Sequence, residues 1–390
     1  MIAGKLKKGR TGALVKAGTC AALALIAAPP VAAASVLPAA TAPASSVSVE
    51  GSSLYLNGQP WQFTGINAPE AATDYAVNGG CGAAFNLLPF FNSLPPNSVV
   101  RVGFGQDATI DEGPGFKPSV VNRDWQALDR VVAAADESTT HVRLIAGLGG
   151  QSGICDGGVF KTDQWYKSGY LRPYTGPDGY ARSSYWTYLQ EVVSRYAGNP
   201  AVLMWEPMGE PEAANCAPGF SGGACYSHKS CPADATATLV NWFDRVGAEI
   251  QTLDPGTLVE TGDLSDEQCG WTGGGELRID EATGVDVASF HDYGSPAVAM
   301  PAPLALAIAD ANSAGKPLVV GEVGITAGNG CPTSLAQRAQ QMQAKLDAAM
   351  SAGVAGWLPW TFGSGSNTSC DYYILPGDPT LGVLGTATGG

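Results

Sequence analysis

Eight short apolar runs, most of them followed by a longer segment with helical periodicity, restrict the folds open to this chain more than any other feature. The runs are "WQFTGIN", "SVVRVGF", "HVRLIAGL", "AVLMWEPM", "TLVETG", "DVASFHDY", "PLVVGEVG" and "VAGWLPWT". Apolar residues at helical spacing fill "DWQALDRVVAAADE", "SSYWTYLQEVVSRYA", "ATLVNWFDRVGAEIQTL", "PLALAIADANSAG" and "SLAQRAQQMQAKLDAAMSAG". A weaker helical pattern, "CGAAFNLLPFFNSL", follows the first run, and none is legible after "TLVETG". This alternation predicts an α/β chain closed into a (β/α)8 TIM barrel. An open doubly wound sheet is the rival, but no glycine-rich phosphate fingerprint follows an early strand. Ahead of the barrel, "VSVEGSSLYLNGQPWQFTGIN", with its Asn57-Gly58 turn, predicts a β-hairpin. Residues 47–390 read as one domain with long loops.

The first residues read differently. Lys5, Lys7, Lys8, Arg10 and Lys16 precede "AGTCAALALIAAPPVAAAS", an apolar core followed by small residues. That is the pattern of a secretory signal, residues 1–34, with an A-x-A cut after Ala34. A retained N-terminal anchor is the alternative, although the run is short and alanine-rich for a membrane span. Residues 35–46, "SVLPAATAPASS", read as a flexible linker. The leader holds five cations and no acid, so its removal takes the formal charge from -14 to -19. Phosphate backbones repel such a chain, which argues against nucleic acid and for a neutral partner. The other eight cysteines are Cys81, Cys155, Cys216, Cys225, Cys231, Cys269, Cys331 and Cys370. An even number behind a signal predicts disulfide-bearing loops in a secreted, extracellular monomer. Cys225 and Cys231 are close enough to close a local loop, with Cys216 competing. No CxxC or CxxH occurs, so no structural zinc is expected.

In a barrel the chemistry sits where the strands end. The runs here end on or near Asn67, Arg101, Glu210, His291 with Tyr293, Glu322 and Trp360. The fourth run continues as "MWEPMGEPE", with three glutamates in nine residues. Strand alternation puts Glu206, Met208 and Glu210 on one face, and Trp205, Pro207 and Gly209 on the face toward the helices. Glu206 is then a deeper, hydrogen-bonded structural acid, Glu210 the working acid at the rim, and Glu212 a loop residue meeting solvent or a loop partner. Glu322, between two glycines at the end of a buried strand, is the second candidate. The fourth and seventh strands face each other across the barrel mouth. Two carboxylates across a cleft are the minimum machinery of glycoside hydrolysis. Arg101 and Tyr293 are placed to hold Glu322 ionised, and His291 to touch either acid or a sugar.

"LNGQPWQFTGIN", "VVRVGF", "WEPMGEPE", "FHDYG", "VVGEVG" and "WLPW" occur in the order and spacing of glycoside hydrolase family 5, which the chain resembles over most of its length after the leader. Through Trp205 to Pro211 it is most similar to the endo-β-1,4-mannanases of that family. The resemblance implies a (β/α)8 barrel, hydrolysis with retention, and no metal or other cofactor. It implies Glu210 as the catalytic acid/base, Glu322 as the nucleophile, and Arg101, His291, Tyr293 and Trp360 around the sugar at the cleavage point; Asn67, from its place at the end of the first run, is a further candidate to bind substrate. The expected partner is a polysaccharide or oligosaccharide, most similar to β-mannan, with β-glucan the alternative. The chain departs from the family at Gly209, where asparagine is usual and contacts the sugar 2-hydroxyl. Three readings follow. Another loop residue supplies that contact, with Gln151 the candidate; the substrate presents its 2-hydroxyl differently; or turnover is slow or absent, leaving a glycan-binding barrel. Trp165 and Tyr166 in the long third loop, and Trp271 in the fifth, are candidate sugar platforms, each with packing of the loop as the competing role.

Overall fold

The computed structural model describes residues 46–72, 86–109, 123–153, 156–177, 179, 181–264, 268–363 and 369–385. The expected leader, the linker up to residue 45, Cys81 and Cys155 lie outside the described residues. Eight strands form the barrel: β1 Phe63–Asn67, β2 Val99–Gly103, β3 Arg143–Gly147, β4 Val202–Glu206, β5 Leu258–Val259, β6 Ala288–Asp292, β7 Leu318–Gly324 and β8 Gly356–Trp360. They pair in the order β5-β4-β3-β2-β1-β8-β7-β6, every neighbour parallel. A parallel bridge between Glu260 and Val287 joins the two ends and closes the ring.

Among the described residues the helices that follow the strands are α1 Leu87–Asn92, α2 Gln126–Asp136, α3 Tyr185–Tyr196, α4 Ala235–Leu253, α5 Gly275–Asp280, α6 Ala302–Ala314 and α7 Leu335–Ser351, and a five-residue helix, Asp163–Lys167, stands in the loop between β3 and α3. Local chemistry sets their ends. Ser184 caps α3 by accepting from Thr187 N, and Ser334 with Gln337 makes a reciprocal capping box on α7. α3 buries Tyr185, Tyr188, Leu189, Val192, Val193 and Tyr196, a single stripe facing the sheet. α5 has only six residues, too few for a periodicity to show in the sequence. A 3-10 turn, Pro379–Gly385, stands after β8 and is tied to β1 through Thr64 Oγ1 donating to Leu384 O at 2.7 Å.

Alternation inside the strands makes layers. Phe63, Val99, Ile145, Met204, Val287, Val319 and Leu358 form an apolar cluster, joined by Leu54. Leu54 belongs to a three-stranded antiparallel sheet, Val47–Glu50, Ser53–Leu56 and Gln59–Trp61, which caps this end of the barrel. The predicted hairpin thus has a third strand. One step toward the strand C-termini the inward residues turn polar: Arg101 after Val99, Glu206 after Met204, Ser289 and His291 after Val287. Gly321 is an extra residue in β7, since Phe290 pairs with Val320 and His291 with Glu322. That irregularity shifts the side-chain parity and turns Glu322 into the barrel mouth.

Candidate active site

The polar layer is organised by one buried cation. Arg101 Nη2 donates to Glu206 Oε1 at 2.8 Å and Nε contacts Glu206 Oε2, while Nη1 donates to Glu322 Oε1 at 2.6 Å and to Asn67 Oδ1 at 3.0 Å. A planar fork with fixed donor directions grips Glu206 through two nitrogens while the third reaches Glu322, an orientation that a lysine's point charge does not impose. Burial alone would lower the Arg101 pKa, but the charges of Glu206 and Glu322 raise it well above the ordinary value. Glu322 takes its second contact from Tyr293, whose hydroxyl donates to Oε2 at 2.5 Å. Burial and the Glu322 charge push the Tyr293 phenol up, so it remains a donor.

Glu210 stands at the rim, partly exposed, with a left-handed φ of 56°. Its N–H donates to Gly262 O at 2.6 Å. His291 lies beneath, 2% exposed, with Nδ1 3.2 Å from Glu210 Oε1 and 3.6 Å from Glu322 Oε2. One oxygen of Glu210, one of Glu322 and a ring nitrogen of His291 all lie within 4.8 Å of one another. Three such groups are able to ligate a cation, but Arg101 already places a positive charge at Glu322, which opposes a second.

A cleft of about 420 Å³ opens over these acids. Its walls include Glu210, Glu322, Tyr293, Trp360, Tyr226 and Ser152, and its floor is largely glycine: Gly103, Gly105, Gly147, Gly149, Gly150 and Gly209. The expected alternation through "MWEPMGEPE" fails after Glu206, where β4 ends. Met208 packs in the outer core with Trp205, and a Cβ built on Gly209 would point inward, 3.0 Å from Glu206 Oε1 and 3.1 Å from Arg101 Nη2. Gly209 is held by its N–H to Gly149 O and by Gln151 N–H to its own carbonyl, a bridge between loops that re-aims the backbone.

Several sequence expectations need correction. Gln151 cannot supply the contact that Gly209 lacks. Its Nε2 donates to Lys161 O and Glu212 O, and its Oε1 accepts from Tyr166 OH and Glu212 N. Asn67 is fully buried and holds Arg101 while donating to Gly321 O at 2.8 Å, so it positions the machinery and does not meet substrate. Trp271 is 1% exposed, with Nε1 donating to Pro211 O at 2.6 Å, and belongs to the loop interior. Trp165 packs among Tyr166, Tyr170, Tyr185 and Trp242, and its ring is not among the cleft walls. In each case a large ring or a fully satisfiable amide found better partners inside the loop than in water. Of the two roles expected for Glu212, the structure shows the loop partner: it is buried and paired with Lys229 at 2.5 Å. Cys225 pairs with Cys216 and Cys231 with Cys269, so the local Cys225–Cys231 loop does not form; Cys331 pairs with Cys370.

Three residues escaped the sequence reading. Glu260 lies behind Glu206, and burial with the Glu206 charge and hydrogen bond holds it well above the usual carboxylate range. Asp263 is raised likewise by burial and by Glu276 and Asp280. Tyr226 lines the cleft from a loop with no periodicity to announce it.

Comparison with known proteins agrees with this architecture. In sequence the chain is 24% identical over 241 residues to mannan endo-1,4-beta-mannosidase F of Aspergillus fumigatus, covering 58% of this chain and 48% of that protein. It thus spans about half the length of that relative. It is 26% identical over 345 residues to mannan endo-1,4-beta-mannosidase A of Emericella nidulans, covering 81% of this chain and 76% of that one. The endo-1,4-beta-mannanase structure from Rhizomucor miehei superposes with a TM-score of 0.61 at 18% identity, over 88% of this chain and 98% of that one, a likeness of fold. Residues 99–366, from β2 to past β8, match the model of the cellulase family, glycosyl hydrolase family 5. With a closed parallel barrel and a match over more than half its length, the chain belongs to glycosyl hydrolase family 5.

Proposed function

We propose that this protein is a secreted, retaining β-glycoside hydrolase that cleaves β-1,4-mannan, with Glu322 as nucleophile and Glu210 as acid/base. The observation that carries the reading is the approach of Glu210 and Glu322, one oxygen of each within 4.8 Å, inside an open cleft. Retaining enzymes hold their two carboxyl groups about 5–5.5 Å apart, whereas inverting enzymes need about 6.5–9.5 Å to admit a water. Glu322 has both oxygens fixed by Arg101 and Tyr293, which suits a group that must approach one carbon along one line. Glu210 is the more exposed of the two and meets His291, which suits a group that gives a proton to the leaving oxygen and later takes one from water. The Glu322 carboxylate attacks the anomeric carbon as Glu210 protonates the departing oxygen. Water, deprotonated by Glu210, then releases the sugar and restores Glu322.

The relatives named as mannan endo-1,4-beta-mannosidases support mannan as the substrate. The family model's description as cellulase supports β-1,4-glucan as the second reading. The paired acids speak against a barrel that only binds glycan. The basic, apolar leader and the three disulfides among the described residues support action outside the cell, and among those residues no helix is long and apolar enough to cross a membrane.

A 2-deoxy-2-fluoro-β-mannosyl fluoride should inactivate the protein and label Glu322, as read by peptide mass spectrometry. Reducing-sugar release from mannan, glucomannan, carboxymethylcellulose and xylan should be greatest on mannan. Glu322→Ala should abolish turnover. Glu210→Ala should lose about 10²–10⁴-fold on mannan and much less on an activated aryl glycoside, whose leaving group needs little protonation. Equal losses on both substrates would reverse the assignment of the acid.

A further inference from the structure

The half of the rim that carries Glu210 holds a feature the proposed chemistry does not use. Between β4 and α4 the chain makes a two-stranded antiparallel ribbon, Asn215–Cys216 with Lys229–Ser230, enclosing a 3-10 turn, Gly222–Ser227. This excursion is fastened at four points. Cys216–Cys225 closes it on itself, and Cys231–Cys269 ties its base to the loop after β5. Lys229 Nζ pairs with the buried Glu212 at 2.5 Å, and the Cys269 N–H donates to the same carboxylate oxygen. The most exposed part of a barrel loop is ordinarily its least fixed.

What these fastenings hold at the cleft is Tyr226. Its ring meets Phe160 edge to face at 5.5 Å, and Lys229 Nζ lies 5.6 Å from its centroid. The ring is half-buried and forms part of the cleft wall. Ser152 and Tyr226 come from the loops after β3 and β4, whereas Tyr293 and Trp360 come from the ends of β6 and β8. Among the described residues, the cleft therefore runs between an aromatic wall on the Glu322 side and the fixed ring of Tyr226 on the Glu210 side.

We infer that Tyr226 is the platform for the sugar on the leaving-group side of the scissile bond, held rigid by the stapled ribbon so that the departing unit lies against its ring within reach of Glu210. The inference rests on the proposed roles of Glu210 and Glu322. A proton donor must sit beside the oxygen it protonates, so the unit attached through that oxygen lies on the donor's half of the cleft. Sugars present apolar C–H faces, and a ring immobilised before binding loses little conformational entropy when it receives one.

The test compares wild type, Tyr226→Ala and Tyr226→Phe on a β-glycan that the wild type cuts and on the aryl β-glycoside of the same disaccharide. Tyr226→Ala should lower kcat/KM on the glycan about tenfold, an aromatic contact's worth, and leave the aryl glycoside within about twofold. Tyr226→Phe keeps the ring and should retain most of the glycan activity. In the fluoro-sugar-trapped enzyme, reactivation by added disaccharide acceptor should need about tenfold more acceptor in Tyr226→Ala, while reactivation by water is unchanged. Equal losses on both substrates, or unchanged acceptor dependence, would overturn the assignment of Tyr226 alone. A wild type that cuts none of the glycans and takes no label would overturn the functional reading and this one with it. If Tyr226→Ala lacks a cooperative melt, Tyr226→Leu, which keeps bulk without the aromatic face, reads the same contrasts.

Discussion

Gly209 shows how little room the machinery leaves. A Cβ at this position would stand 3.0 Å from Glu206 Oε1 and 3.1 Å from Arg101 Nη2, atoms that are already paired with each other. Arg101 cannot retreat freely, because Nη1 also holds Glu322 and Asn67. Gly209→Ala should therefore shift the guanidinium by a few tenths of an ångström and slow the nucleophile's step about tenfold, since near-attack geometry is sensitive on that scale. The check is pre-steady-state release of the aryl group from the aryl glycoside, which isolates the nucleophile's step; an unchanged rate would show that the Arg101–Glu206 pair yields without disturbing Glu322. Here the sequence was legible in part. Glycine before Glu210 is visible as a departure, but one of the two atoms filling the space comes from β2, over a hundred residues away.

At the scale of elements, β5 and α5 place several acids in the interior. Glu260, Asp263 and Asp280 are each held well above the usual carboxylate range, by burial first and then by neighbouring carboxylates. The folded chain thus keeps protons that the unfolded chain has lost between the ordinary carboxylate pKa and the raised one. The stability they contribute is fully present below the ordinary value and falls as pH rises through the raised value, with a slope of about 1.4 kcal/mol per pH unit for each retained proton. Glu206 is lowered: burial opposes this, but the Arg101 charge outweighs it, so its contribution is instead lost as pH falls. Asp263→Asn removes one retained proton without changing shape. Its thermal midpoint should match wild type near pH 4 and exceed it at pH 8, measured by circular dichroism; the same difference at both values would refute the buried neutral acid. Sequence periodicity could not find this group, because α5 is a single short helix whose acids face inward.

For the whole molecule, the barrel supplies the frame and the crosslinks fix its upper loops. Cys331–Cys370 joins the loops after β7 and β8 across 39 residues, beside the Ala327–Gly328 and Cys370–Asp371 ribbon. Closing a loop of that length restricts the unfolded chain by about 4 kcal/mol in the entropic account, and measured effects run about 2–4 kcal/mol. The double variant Cys331→Ser with Cys370→Ser should lose about that much stability, seen as a lower denaturant midpoint with a steeper slope, because the unfolded chain is no longer held compact. Tyr372 rides on this ribbon and meets Tyr293 edge to face at 5.5 Å, so the crosslink also braces the Glu322 wall.

A bulge at Gly321 and the end of β4 aimed Glu322 and Glu210, which the sequence showed only as acids near strand ends. The strand and helix periods, the order of the apolar runs and the polar residues at their ends determined the closed barrel and the placing of Arg101, Tyr293 and Trp360 at its mouth. Those are local properties, written in spacings of two and about four residues, and burial in a parallel sheet leaves few ways to satisfy them. Tertiary structure alone decided which side chains meet. It turned Gly209 inward after β4 ended, and drew Asn67 and Gln151 into hydrogen bonds that leave nothing for a sugar. It buried Trp271, and it carried Tyr226 to the cleft on crosslinks whose partners lie up to 38 residues apart. Contacts between segments distant in the chain depend on loop paths and on competition for every buried polar atom, and neither is encoded in a local pattern.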